Sequence, residues 1–182
     1  EDLFVIRKLF KDTLKAHVDF RVPEKPGDSD DFLIKADKNP NTAGALSILG
    51  DAQADARDVV QRAEQGELDF LYVFGHDLVR LFGKETVAEI VKKTKLFVFQ
   101  GSNINATCGY AHLNLPSSVY AEKDGTFTNC QQRVQRIWPA FPPLGDSKSD
   151  WEIVSFIAGQ LGNPFSYKGP QDVFNDIAKT VA

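Results

Sequence analysis

Two apolar runs of strand length, residues 68–74 (LDFLYVF) and 95–100 (KLFVFQ), stand on either side of an amphipathic stretch, residues 84–93 (KETVAEIVKK). Runs this short and this continuously apolar belong to strands covered on both faces, and such strands pair in parallel through a helical crossover. The twist of the strands makes that crossover right-handed. Gly75 gives the first strand a tight exit. A second turn of the same pattern follows, with a short helix expected over 103–110 and a third strand over His112–Leu115. The chain therefore reads as α/β with a mainly parallel sheet.

The closure that fits this order is a Rossmann-like, three-layer αβα domain flanked by helices. Ligands of such sheets bind in the crevice outside the carboxyl ends of the strands. The segments placed there are Gly75-His76-Asp77, Gly101-Ser102-Asn103 and Pro116-Ser117-Ser118. Three portions follow from the pattern. Residues 1–66 are helical with a polar, mobile loop at 23–31; 67–137 hold the Rossmann-like core and a polar loop; 138–182 are a Pro-rich linker and helices packing on the core. Within the first portion, apolar residues at helical spacing predict a helix over Asp2–Ala16, and His17–Val22 alternates like a short strand. Asn39-Pro40-Asn41-Thr42 is a turn and cap before a helix ending at Leu49, and a further helix starts at Asp55. In the last portion a helix runs from Trp151 to Leu161 with Ile153, Val154, Phe156, Ile157 and Leu161 inward. Gly169-Pro170 opens another.

After the third strand, Glu122, Asp124, Gly125, Thr126, Asn129 and Arg133 crowd into a dozen residues. Gly125 permits positive φ, the short polar side chains tie backbone into turns, and Arg133 offers a planar fork of donors. One reading is a loop that presses donors against an anionic or nucleotide-like group. The plainer one is a loop whose polar groups satisfy each other.

Composition removes several classes of function. The 182 residues carry a net charge of -4 with no basic run, which argues against nucleic acid or an anionic membrane as main partner. No apolar stretch reaches membrane-spanning length, so no direct membrane insertion is expected. Methionine is absent, position 1 included, as in a processed or excised piece. Cys108 and Cys130 are too few for an iron–sulfur cluster or structural zinc, and reduced, mostly buried thiols are expected. No Ser/His/Asp elbow, P-loop or GxGxxG occurs, and no catalytic or metal-ligating residue is expected in the chain.

The pattern LP-x5-EKDGTFTN-x3-RVQ, followed by the Pro-rich PAFPPLGDSKSDWEI, resembles the molybdopterin oxidoreductase superfamily, in the loop after its nucleotide-binding-like domain. The earlier stretch Asp31-Phe32-Leu33-Ile34 to Asp37-Lys38-Asn39-Pro40-Asn41-Thr42, with Gly44, is similar to the large iron–sulfur subunit of bacterial NADH:quinone oxidoreductase, respiratory complex I. That resemblance implies a scaffold domain without its own redox centre or cofactor. Its partners would be the rest of the parent subunit, which carries the iron–sulfur clusters, and other peripheral-arm subunits on the cytoplasmic side of the inner membrane. Three departures from cofactor-binding relatives point the same way. Gly75-His76-Asp77-Leu78 stands for GxNP, Gln100-Gly101 for an acidic strand end, and Gln132 for the Gly before the loop arginine. The alternative is part of a molybdopterin guanine dinucleotide-binding oxidoreductase, such as a formate dehydrogenase-like enzyme, with Glu122, Asp124, Gly125, Thr126, Asn129 and Arg133 toward the cofactor.

Overall fold

A computed structural model describes residues 1–22, 29–50 and 56–180. Most of the expected mobile loop and the Asp55 helix start fall outside those residues. The chain divides into two compact units that do not follow its order: Glu1–Ala56, Asp124–Trp138 and Val154–Ala182 form one, Arg57–Lys123 and Pro139–Ile153 the other.

The second unit holds the parallel sheet. Strands β1 (Phe70–Phe74), β2 (Leu96–Gly101) and β3 (Leu113–Pro116) lie side by side in that order, all parallel, as the sequence pattern requires. Being central, β2 is buried on both faces, from Phe97 through Gln100. Helices α3 (Arg57–Gln65) and α5 (Lys84–Lys93) bring Val60, Ala63, Val87 and Ile90 against Leu71, Val73, Phe97 and Phe99. Each of the larger side chains contributes about 1.5–3 kcal/mol on leaving water.

One short helix in this unit was not anticipated and one expected helix is cut back. The segment after Gly75 is not a bare connection but contains α4 (Leu78–Phe82), opened by Asp77, whose carboxylate accepts the Arg80 N–H at 3.2 Å. Gly83, at φ +91°, separates α4 from α5. A five-residue helix is too short for apolar periodicity to announce. Conversely, only Ala106–Gly109 of the expected 103–110 helix forms, as one 3-10 turn capped by Asn105.

In the first unit, α1 (Asp2–Ile6) runs on as a π-helical segment, Arg7–Thr13, burying Phe4, Val5, Ile6, Leu9 and Phe10. Helix α2 (Thr42–Leu49) ends where Arg7 and Lys11 donate to the carbonyls of Ile48 and Leu49, at 2.8 and 3.1 Å. Two cations on those unpaired carbonyls suit the helix dipole. Lys8 donates to Asp176 at 2.8 Å and to the Tyr167 hydroxyl at 2.7 Å, tying the first helix to α7 (Pro170–Thr180). No strand forms over 17–22.

The polar stretch after residue 122, expected as loop, is largely an antiparallel hairpin, β4 (Gly125–Thr128) with β5 (Val134–Ile137). Four-residue strands rich in Thr, Gln and Arg lack the apolar alternation that would mark them. In α6 (Asp150–Gln160) the buried positions are Trp151, Val154 and Ala158, at helical spacing, whereas Phe156 and Leu161 are 69% and 53% exposed, not inward as expected.

Candidate functional site

The register of the sheet puts its three strand ends in one row. Phe74 pairs with Gln100 and Gln100 with Leu115, and one step on Gly101 pairs with Pro116. Beyond them come Gly75, Ser102, Asn103 and Ser118. Gly75 sits at φ +67° with open space where a side chain would project, and its N–H donates to the Gln100 carbonyl at 2.8 Å. Ser102 and Asn103 are exposed and bonded to each other at 2.9 Å. Ser118 is buried, its N–H donating to the Lys148 carbonyl, while its hydroxyl has no partner among the described residues.

Thr107 fastens two of these loops together. Its hydroxyl donates to Asp77 at 2.9 Å and accepts the Val79 N–H at 3.2 Å, while the Asn105 side chain accepts the Thr107 N–H. Thr107 is fully buried, so the loop after β2 is pinned to the start of α4. Such preset geometry lowers the cost of ordering on binding.

Gln100, at the end of the central strand, does not face the crevice as a free amide. It is wholly buried, accepts from the Tyr72 hydroxyl and donates through Nε2 to Asp150 at 2.7 Å. Asp150 also takes an ion pair from Lys123 at 2.6 Å, the two side chains being 18% and 13% exposed. Burial pushes the Tyr72 hydroxyl well above the ordinary phenol range, with the Asp150 charge adding to it. Sequence reading missed this network. Nothing local in the sequence connects Asp150 to a glutamine fifty positions earlier.

The six polar residues after β3 do not all fall in one unit. Glu122 belongs with the sheet, where it accepts N–H bonds from Val119 and Leu144 at 2.9 and 3.1 Å. The other five lie on or beside the hairpin. Asp124 takes both arms of the Arg136 guanidinium, at 2.9 and 2.6 Å, and Arg136 stacks on Trp138 at 3.7 Å. Gly125 is buried, with Glu1 so near that a Cβ would meet its carboxylate at 3.1 Å. Thr126 donates its N–H to Glu1 at 2.8 Å. Asn129 accepts the N–H groups of Gln131 and Arg133, and Gln132 stands between them at φ +63°. The guanidinium of Arg133 is exposed and makes no hydrogen bond or ion pair to a described residue.

Neither cysteine is bridged, and Cys130 is exposed where a buried thiol was expected. Among the described residues no group of His, Cys, Asp or Glu is placed to hold a metal ion, and no helix is long and apolar enough to cross a membrane.

The Molybdopterin oxidoreductase family model matches residues 30–160. A protein of Bacillus subtilis (strain 168) named "Putative formate dehydrogenase" is 35% identical over 137 residues, 75% of this chain and 14% of that protein. One of Staphylococcus aureus (strain USA300), named in the same words, is 34% identical over 153 residues, 84% of this chain and 15% of its own length. The chain thus spans about a seventh of the relatives it matches. Their names overturn the expected assignment to a scaffold domain of respiratory complex I. Gln100, one of the departures noted in the sequence, is engaged by Tyr72 and Asp150. The parallel sheet and the match over residues 30–160 make this chain a member of the molybdopterin oxidoreductase family.

Proposed function

We propose that this chain is the part of a formate dehydrogenase-like molybdopterin oxidoreductase that holds the guanosine end of a molybdopterin guanine dinucleotide. The observation that carries this is the register of β1, β2 and β3, which lines up Gly75, Ser102, Asn103 and Ser118 along the carboxyl edge where parallel sheets receive nucleotides. The donor set suits the group. Hydroxyls and a carboxamide donate to phosphate and ribose oxygens, Gly75 leaves room for close approach, and the Ser118 hydroxyl is a buried polar atom in want of a partner.

When bound, the cofactor supplies two-electron redox chemistry, and the net reaction proposed for the longer protein is formate to carbon dioxide, a proton and two electrons. The chain's own residues bind and orient. Thr107 keeps the two loops in place, Gln100 and Lys123 fix Asp150 at the end of the central strand, and none of these side chains exchanges a proton with substrate. The partner implied is the remainder of the longer polypeptide.

Thermal melting with GMP tests the assignment. Ligand at about 100 times its dissociation constant stabilises by roughly 2.7 kcal/mol, several degrees for a domain of this size. A saturable rise that shrinks in the Ser102→Ala/Asn103→Ala double variant is expected. A melting temperature unmoved by millimolar GMP counts against it.

A further inference from the structure

Ile104 is 96% exposed, the most exposed of the large apolar side chains among the described residues, and it stands in the loop after β2 between two asparagines. An aliphatic side chain laid bare among polar neighbours gains nothing for folding. It is also not on a slack loop. The residue after it, Asn105, caps the Ala106–Gly109 turn and donates its N–H to the Cys108 sulfur at 3.4 Å, and Thr107 is pinned to Asp77 and Val79. Just before it, Ser102 and Asn103 hold each other. One short loop therefore presents two polar side chains followed by one fully bared apolar one, on a fixed backbone, at the carboxyl edge of the sheet.

A nucleotide has the matching division. Its phosphate and ribose are polar and its base has an apolar face, which any aliphatic or aromatic surface can cover without regard to the base's edge groups. We infer that Ile104 is the apolar platform for the base, with Ser102 and Asn103 taking the ribose and phosphate. The inference rests on the proposed nucleotide site and adds a residue to it. Gln100 is engaged by Tyr72 and Asp150 and offers the base no free edge, so base affinity here comes from covered area, and discrimination between purines is weak.

The test is the thermal melt of the whole chain and of Ile104→Ser, each with GMP, AMP and ribose 5-phosphate. A side chain this exposed has no packing to lose, so the variant folds; Ile104→Leu serves as the conservative control. The expected result is GMP and AMP affinities within a few-fold of each other, both about five- to tenfold weaker in Ile104→Ser, and restored in Ile104→Leu. Ribose 5-phosphate binds both proteins alike. If wild-type chain binds GMP and Ile104→Ser binds it equally well, the platform is wrong while the nucleotide site stands. If wild-type chain binds none of the three, the site itself falls and the platform with it.

Discussion

Gln100 donates its side-chain amide to the carboxylate of Asp150 at 2.7 Å, joining the end of the central strand to the first turn of α6. With Tyr72 and Lys123 completing the set, every polar group named in this buried cluster has a partner. A network of that kind is stabilising only while it is whole.

Replacing Gln100 by Leu removes the acceptor of the Tyr72 hydroxyl's bond and a donor to Asp150. A loss of about 2–4 kcal/mol in urea unfolding is expected. Gln100→Glu sets a second carboxylate against Asp150, and burial with like charge raises its folded pKa above the unfolded value. More protons are then bound in the folded state than in the unfolded one, so stability falls as pH rises. The variant should approach wild type near pH 4 and be weakest at neutral pH. A deficit that does not change with pH would contradict this arrangement.

Gly44 in α2 leaves room for the Asn41 side chain, whose oxygen accepts the Thr128 N–H at 2.8 Å; a Cβ on Gly44 would meet that oxygen at 2.4 Å. Gly44→Ala is expected to cost about 1–2 kcal/mol despite alanine's better helix propensity. In an Asn41→Ala background the same change should be nearly neutral. A double-mutant cycle measured by denaturant unfolding reads the difference.

The two hairpin arginines separate cleanly. Arg136 forks onto Asp124 and stacks on Trp138, so Arg136→Ala should lower the melting temperature. Arg133→Ala should stay within about 0.5 kcal/mol of wild type, since that side chain is exposed and unengaged among the described residues. Thermal melts of the pair check it.

Hydrogen bonds from Lys8 and then Tyr167 hold the Asp176 carboxyl below the usual aspartate range. A depressed folded pKa contributes stability above the unfolded value and loses it as pH falls through the folded one. Asp176→Asn should cost about 1 kcal/mol at neutral pH, and the gap to wild type should close well below pH 4. Acid-unfolding curves of the two proteins settle the sign.

Much of the sheet was legible because its signal is local. Leu71, Val73, Phe97 and Phe99 sit in short apolar runs around an amphipathic helix, and that pattern admits few topologies. The strand-end segments followed from the same argument. The hairpin was not legible: Thr126, Thr128, Gln135 and Arg136 carry no alternation, and their pairing is fixed by partners such as Asn41 far away in sequence. The buried role of Gln100 was hidden for the same reason, since Asp150 completes it from the other end of the unit. Resemblance read position by position misled where a short stretch around Asp37 and Asn39 was taken to mark a subunit of respiratory complex I.

The most direct measurement is an amide NMR titration of the chain with GMP. The account predicts saturable shifts centred on Gly75, Ser102, Asn103, Ile104 and Ser118, with Val60, Val87 and Ile90 in the core unmoved. Shifts that never saturate, or that gather away from the strand ends, would contradict it.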